Sequence, residues 1–126
     1  MTFEHFALNV AEPAAMTRWY GEHLGLRVVR DVGGATQTVF LGDDTGRVVV
    51  ELYHNPAAPV PAYAATHPLC FHFALVSTDA RADRQRLEQA GAQWVEDVTP
   101  PDGSVLIMMR DPWGVPIQLC QRARPF

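Results

Sequence analysis

Two histidines and two oxygen-bearing side chains recur in this sequence at a single spacing. The tetrapeptide HFAL occurs at 5–8 and again at 72–75, an offset of 67 positions, and the same offset carries Glu51 onto Gln118. Two imidazoles, one carboxylate and one amide oxygen are nitrogen and oxygen donors that suit Ni, Co, Zn, Mn or Fe(II). A repeat at one fixed offset also predicts an internal duplication. The candidate metal ligands are therefore His5, Glu51, His72 and Gln118.

The first half of the chain predicts the element order β-α-β-β-β. Its helix is expected over 13–24, because Pro13 is suited to a first helical turn and Gly25 to a helix stop. Glycine-rich turns separate the last three strands. The strands are predicted at 3–10, 26–32, 35–41 and 47–53.

The second half predicts the same order. Its helix is expected to begin after a cap at Thr78 or Asp79 and to run to about Ala90, with Gly91 as its stop. The turns are PPDG and DPWG. The strands are predicted at 69–76, 93–98, 104–110 and 115–121.

Alternation along the strands indicates where the candidate ligands point. Phe6 and Leu8 share one face of the first strand, and His5 lies on the other. We expect the apolar faces, including Phe6 and Phe73, to be buried under the helices. The candidate ligands then share the opposite, mixed face of the sheet, and His5 lies beside Glu51 if each module pairs its first strand with its last.

The whole chain, 1–126, is predicted to be one α+β domain of two tandem βαβββ modules. The modules cover about 1–54 and 69–126, and the proline-rich segment 55–68 is expected to be a semi-extended connector.

Composition excludes several classes of partner. A formal charge of −4 and a pI near 5.6 give no electrostatic reason to expect nucleic acid or an anionic membrane. No signal peptide and no apolar stretch of about 20 residues is visible, so no membrane span is expected. Two cysteines, Cys70 and Cys120, are too few for a disulfide scaffold, and we expect a cytoplasmic protein.

Four stretches carry a resemblance to a known family: FEHFALNV and MTRWYGEHLGLRVV near the start, FHFALVSTD at the second module, and DPWGVPIQL near the end. They resemble the vicinal oxygen chelate superfamily. That group includes glyoxalase I, extradiol dioxygenases, methylmalonyl-CoA epimerase, and fosfomycin and bleomycin resistance proteins. The resemblance covers essentially the whole chain. It implies a curved mixed sheet forming a cup, metal ligands on the first and last strands of each module, and a homodimer.

Gln118 departs from the family pattern. Glyoxalase I, the dioxygenases and the fosfomycin enzymes usually carry a glutamate on that strand, whereas this chain has its carboxylate at Glu51. Two histidines, one glutamate and one glutamine are also the ligands of the epimerase. In this chain, however, the glutamate is in the first module and the glutamine in the second, the reverse of the epimerase. The resemblance therefore does not transfer one particular activity.

The leading hypothesis is a metal-dependent lyase or isomerase, of glyoxalase or epimerase type, acting on a small substrate with adjacent oxygen atoms. The metal would stabilise an enolate or enediolate, and Glu51 is the candidate proton carrier. The alternatives are a ring-cleaving Fe(II) dioxygenase and a metal-free binding protein of the bleomycin-resistance kind. Weaker candidates for a substrate-pocket wall are Tyr53, Trp94 and Trp113.

Overall fold

The computed structural model describes all residues, 1–126, and contains two compact units, Met1–Pro61 and Ala62–Phe126. Each unit has the order β-α-β-β-β, so the prediction of an α+β fold with two tandem modules is confirmed. That the two modules form one domain stays a prediction.

The first unit is a four-stranded mixed sheet with one helix. Strand β1 runs parallel to β4, while β3 is antiparallel to both β4 and β2, in the order β1-β4-β3-β2. The elements are β1 (Phe6–Asn9), α1 (Pro13–Leu24), β2 (Arg27–Gly33), β3 (Thr38–Gly42) and β4 (Val48–Tyr53).

Helix α1 begins and ends where local chemistry dictates. Pro13 lies in its first turn, where the missing N–H costs nothing. Gly25 caps its end with a left-handed φ of 72°, a conformation that glycine adopts without strain. Met16 and Tyr20 are fully buried on its inner face, as is Leu52 on β4. Burial of these apolar side chains holds the helix on the sheet.

The second unit repeats this arrangement. Its sheet has the order β5-β8-β7-β6, with β5 parallel to β8 and the other pairs antiparallel. The elements are β5 (Phe73–Val76), α2 (Ala80–Gln89), β6 (Gln93–Val98), β7 (Val105–Arg110) and β8 (Pro116–Gln121).

Helix α2 is capped at its start and anchored near its end. The Asp79 carboxylate accepts a hydrogen bond from the Ala82 backbone N–H at 3.0 Å, which satisfies one of the open donors of the first turn. Leu87 is fully buried, as are Ile107 and Ile117 on the sheet. Neither α1, with 12 residues, nor α2, with 10, is long and apolar enough to cross a membrane.

Strands β1 and β5 begin later than predicted. Residues 3–5 lie outside the ladder, and the Arg47 guanidinium donates to the Phe3 carbonyl at 3.0 Å. Before β5 the chain turns at His67, whose carbonyl accepts from the Cys70 N–H at 2.9 Å. Each histidine of the repeat therefore lies just before its strand instead of within it.

Phe6 and Phe73 are half-buried, so the prediction that the helices bury them was wrong. The reason is the position of each helix. Helix α1 contacts mainly β2, β3 and β4, and α2 contacts mainly β6, β7 and β8. The edge strands β1 and β5 are consequently less covered than the strands between.

The segment expected to be an extended connector, 55–68, contains local hydrogen-bonded structure. Its start is tied to the first unit, because the Asn9 side chain donates to the carbonyls of Asn55 and Ala58 at 3.1 Å each. Further along, Tyr63–Ala65 forms a short 3₁₀ helix in the second unit.

The buried strand positions generate a stability prediction. Leu52 and Leu119 hold equivalent, almost fully buried places on β4 and β8. Leu52→Ala and Leu119→Ala should each lower the free energy of unfolding by about 2–5 kcal/mol, because truncation leaves a cavity. Val76, which is 92% exposed, is the control position. Val76→Ala should change the free energy of unfolding by less than about 0.5 kcal/mol. Urea unfolding followed by circular dichroism measures all three, and leucine variants as stable as Val76→Ala would contradict this account of the core.

Candidate metal centre

His5 and Glu51, here called the first pair, come together within the first unit. The β1–β4 ladder aligns Ala7 with Glu51, and His5 lies two residues before Ala7, just ahead of the strand. The His5 Nε2 atom is 3.2 Å from Glu51 Oε2, and the two side chains are 23% and 21% exposed. A partly shielded imidazole and carboxylate therefore face each other at the start of the strand pair.

Two further side chains constrain the His5 ring. Phe40 packs against it in an edge-on arrangement, with ring centroids 5.3 Å apart. On the other side, Glu4 Oε2 lies 3.1 Å from Nδ1, within ion-pair range but at an angle that makes no hydrogen bond. The register of β3 on β4, which aligns Phe40 with Glu51, explains the first contact. The sequence interpretation missed both residues.

His72 lies at the equivalent place in the second unit. Its Nδ1 atom is 2.9 Å from the Pro68 carbonyl oxygen. A carbonyl oxygen only accepts hydrogen bonds, so Nδ1 carries the proton. In the neutral ring Nε2 then has an open lone pair, and it makes no hydrogen bond within the chain. His72 is thus held by the backbone with one nitrogen available.

Gln118, which with His72 forms the second pair, binds a different neighbour. The β5–β8 ladder aligns it with Ala74, just as Ala7 aligns with Glu51. Its Oε1 atom accepts from the Cys120 thiol at 3.3 Å, and no hydrogen bond joins it to His72. Burial raises the pKa of the Cys120 thiol, with a smaller opposing effect of the Arg122 charge, so the sulfur keeps its proton and donates it at neutral pH.

Each pair, taken by itself, offers nitrogen and oxygen donors of the kinds that suit a divalent ion. Two nitrogen or oxygen atoms that bind one ion tetrahedrally at about 2.1 Å are about 3.4 Å apart, close to the 3.2 Å between His5 Nε2 and Glu51 Oε2. His72 has the backbone carbonyl partner that metal-binding histidines usually have on their second nitrogen. No group of three or more His, Cys, Asp or Glu side chains is arranged so that it could hold a metal ion.

For Tyr53 and Trp113 the pocket wall stays a prediction. Tyr53 is half-buried and shares its face of β4 with Glu51. Trp113 is half-buried in the turn after β7, where its N–H donates to Asp111 Oδ1 at 3.0 Å.

Trp94 lies on the wrong face for a wall beside Gln118. Ladder partners share a face of the sheet, and Trp94 is aligned with Met109, which in turn is aligned with Ile117 instead of Gln118. The Arg84 guanidinium of α2 covers the Trp94 ring at 4.6 Å. The prediction for Trp94 was therefore wrong. The register of β6 on β7 determines which face of the sheet Trp94 lies on, and the sequence did not reveal that register.

Several solved structures share this fold. TnmS3, an antibiotic binding protein from Streptomyces sp. CB03234, is 20% identical with a TM-score of 0.71, over 98% of this chain and 97% of that one. Lactoylglutathione lyase from Agrobacterium tumefaciens is 21% identical with a TM-score of 0.66, over 94% and 92%. A superfamily member from Sphaerobacter thermophilus DSM 20745 is 14% identical with a TM-score of 0.71, over 97% and 98%. At these identities the likeness establishes the fold alone.

Sequence comparison identifies the family. No curated protein matches the chain significantly. The profile of one superfamily, however, matches residues 2–119, which is nearly the whole chain. The protein belongs to the Glyoxalase/Bleomycin resistance protein/Dioxygenase superfamily.

Proposed function

We propose that the protein is a divalent-metal-dependent lyase or isomerase acting on a small substrate with adjacent oxygen atoms. The observation that carries this proposal is the 3.2 Å approach of His5 Nε2 to Glu51 Oε2. In the second unit the equivalent histidine, His72, makes no such contact with Gln118 but has an open Nε2 atom. The ligands proposed are His5 and Glu51 in the first unit and His72 and Gln118 in the second.

The ion would supply Lewis-acid stabilisation of negative charge developing on a substrate oxygen. The chain itself contributes the proton chemistry. Glu51 is the only carboxylate among the four ligands. To take a proton from the substrate carbon next to the carbonyl, it would have to detach from the ion first. Gln118 is neutral and does not take up a proton at neutral pH. Proton transfer therefore depends on the first pair.

The amide at Gln118 also sets the charge of the centre. A divalent ion with one carboxylate ligand keeps a net charge near +1, whereas a second carboxylate would bring it to zero. The remaining positive charge favours an anionic oxygen of the substrate. This is the electrostatic reason to expect a substrate that becomes negatively charged during the reaction.

A second candidate is a metal-free binding protein for a small aromatic ligand. Two observations favour it. The His5 and Glu51 side chains already contact each other at 3.2 Å without a metal, and TnmS3, which has the same fold, is described as an antibiotic binding protein. In that case Tyr53 would contact the ligand and the four polar residues would have no metal. A ring-cleaving dioxygenase would use Fe(II) bound by the two histidines and Glu51.

The proposal includes a homodimer. Each four-stranded sheet has two edge strands, and β2 exposes Val28, Val29 and Val32, all about half exposed. Exposed apolar edges are commonly covered by a second chain. Light scattering should give twice the chain mass of 14.0 kDa at micromolar concentration. A single-chain mass across that range would contradict the dimer.

Metal analysis tests the proposed function directly. Protein purified without a metal-binding tag should contain close to one divalent ion per chain, or take it up from Ni, Zn, Mn or Fe(II) solutions. His5→Ala and His72→Ala should each weaken binding by more than about 100-fold, because loss of a ligand should exceed the effect of losing its outer partner. Both variants should stay folded, and His23→Ala, on helix α1, is the matched control. Wild-type protein that takes up none of these metals would favour the binding protein.

Exchanging the two oxygen ligands tests the division of roles. Glu51→Gln should slow solvent deuterium exchange at the substrate α-carbon by about 100-fold or more, the usual contribution of a general base. Gln118→Glu should tighten metal binding by about tenfold, because affinity rises with ligand charge. Exchange would be followed by NMR on 2-hydroxycarbonyl compounds that the wild type turns over. Undiminished exchange in Glu51→Gln would exclude Glu51 as the base.

A further inference from the structure

Arg110, the last residue of β7, binds three backbone carbonyls. Its guanidinium donates to the oxygens of Tyr63 and Gly114 at 2.9 Å each and of Thr66 at 2.7 Å. Charged, planar donors make stronger and better directed hydrogen bonds than neutral ones. The guanidinium therefore ties the 3₁₀ helix Tyr63–Ala65 to the turn that follows β7.

The 3₁₀ helix and the turn after β7 also contact each other directly, backbone against backbone. Gly114 has a φ of +86°, and a Cβ atom placed on it would lie 2.7 Å from Ala64. Any side chain there would push the 3₁₀ helix away. The glycine and the Arg110 side chain thus act on the same helix from one turn.

The 3₁₀ helix Tyr63–Ala65 is connected to the His72 ring through the residues that follow it. Thr66, whose carbonyl Arg110 binds, is two residues before Pro68, whose carbonyl accepts from His72 Nδ1. Between them, His67 forms a closed turn through its carbonyl and its Nδ1 atom, which accept from the N–H groups of Cys70 and Leu69.

A ring contact makes a second connection. Tyr63, in the 3₁₀ helix, packs against Phe71 with centroids 6.5 Å apart, and Phe71 precedes His72 in the chain. The segment 66–71, which includes the Pro68 carbonyl, is therefore fixed at both ends. Arg110 binds it at Thr66, and Tyr63 of the 3₁₀ helix contacts it at Phe71.

We propose that Arg110 is a positioning residue for His72. By fixing the backbone from Tyr63 to Thr66, it places the Pro68 carbonyl that keeps the ring protonated at Nδ1 and open at Nε2. This inference rests on the proposed function only for the use of that open nitrogen as a metal ligand. The orientation of the ring is a property of the metal-free protein and is measured without metal.

The tautomer of His72 is the primary measurement. Long-range ¹H–¹⁵N NMR of the metal-free protein at about pH 8, where unperturbed imidazoles are neutral, should give a His72 protonated at Nδ1. Arg110→Met keeps the apolar stem and removes all three hydrogen bonds, so the Nδ1-protonated fraction should fall substantially. In Arg110→Lys the Nδ1-protonated fraction should lie between those of wild type and Arg110→Met, because one ammonium does not reproduce the three hydrogen bonds of a planar guanidinium.

Two controls separate positioning from a general loss of structure. His54 is held in the same tautomer by the Val10 carbonyl, at 2.9 Å, within the first unit, and its signal should not change. Arg86→Met removes an exposed arginine that binds Asp83 on α2 and should leave His72 as in wild type. An unchanged His72 tautomer in folded Arg110→Met would overturn the proposal. Should that variant not fold, an unchanged tautomer in Arg110→Lys would overturn it.

Metal affinity gives the second readout. If the wild type binds a divalent ion, Arg110→Met should bind Zn²⁺ about 10–100-fold more weakly, the usual effect of losing an outer partner. Equal Zn²⁺ affinity in both proteins would overturn the link between ring orientation and binding. A wild type that binds no metal would defeat the proposed function while the tautomer comparison still decides the role of Arg110.

Discussion

In each unit the first strand runs parallel to the last, aligning Ala7 with Glu51 and Ala74 with Gln118. The placement of both oxygen ligands depends on these two registers. The first register also brings His5, just before β1, to 3.2 Å from Glu51. A slip of one residue would turn each oxygen ligand toward the helix side. The apolar residues on that side, fully buried at Val50 and Ile117, oppose such a slip, so the core under the helices also fixes the geometry of the polar face.

Sequence alone predicted the elements whose signals are local. The helix α1 matched its expected bounds because Pro13 and Gly25 act on their own turns. The start of β1 could not be predicted, because the residues before it have distant partners: the Phe3 carbonyl accepts from Arg47, 44 positions away. The face of Trp94 was equally hidden, since it follows from pairing across two neighbouring strands. The contact between His5 and Glu51 could be predicted only by assuming that β1 pairs with β4, which the structure shows.

Equivalent positions in the two units have acquired different hydrogen bonds. Glu51 attracts the His5 imidazole, whereas Gln118 accepts from the Cys120 thiol and leaves His72 to a backbone carbonyl. A neutral amide has less attraction for an imidazole N–H than a carboxylate has. The exchange of glutamate for glutamine therefore accompanies the opening of Nε2 in the second unit. Duplication supplied two similar frames, and one side chain in each decides how its histidine is used.

Parallel pairing of the first and last strands has a consequence for folding. Within each unit these strands are the farthest apart in sequence, with about 44 residues between partners, and closing such a loop carries more entropic cost than forming the β-hairpins β2–β3 and β6–β7. On a contact-order argument the hairpins form early and the edge strands join late. His5 meets Glu51 only when its unit is complete, so a chain arrested partway through folding lacks the first pair, and its ligand side chains stay dispersed.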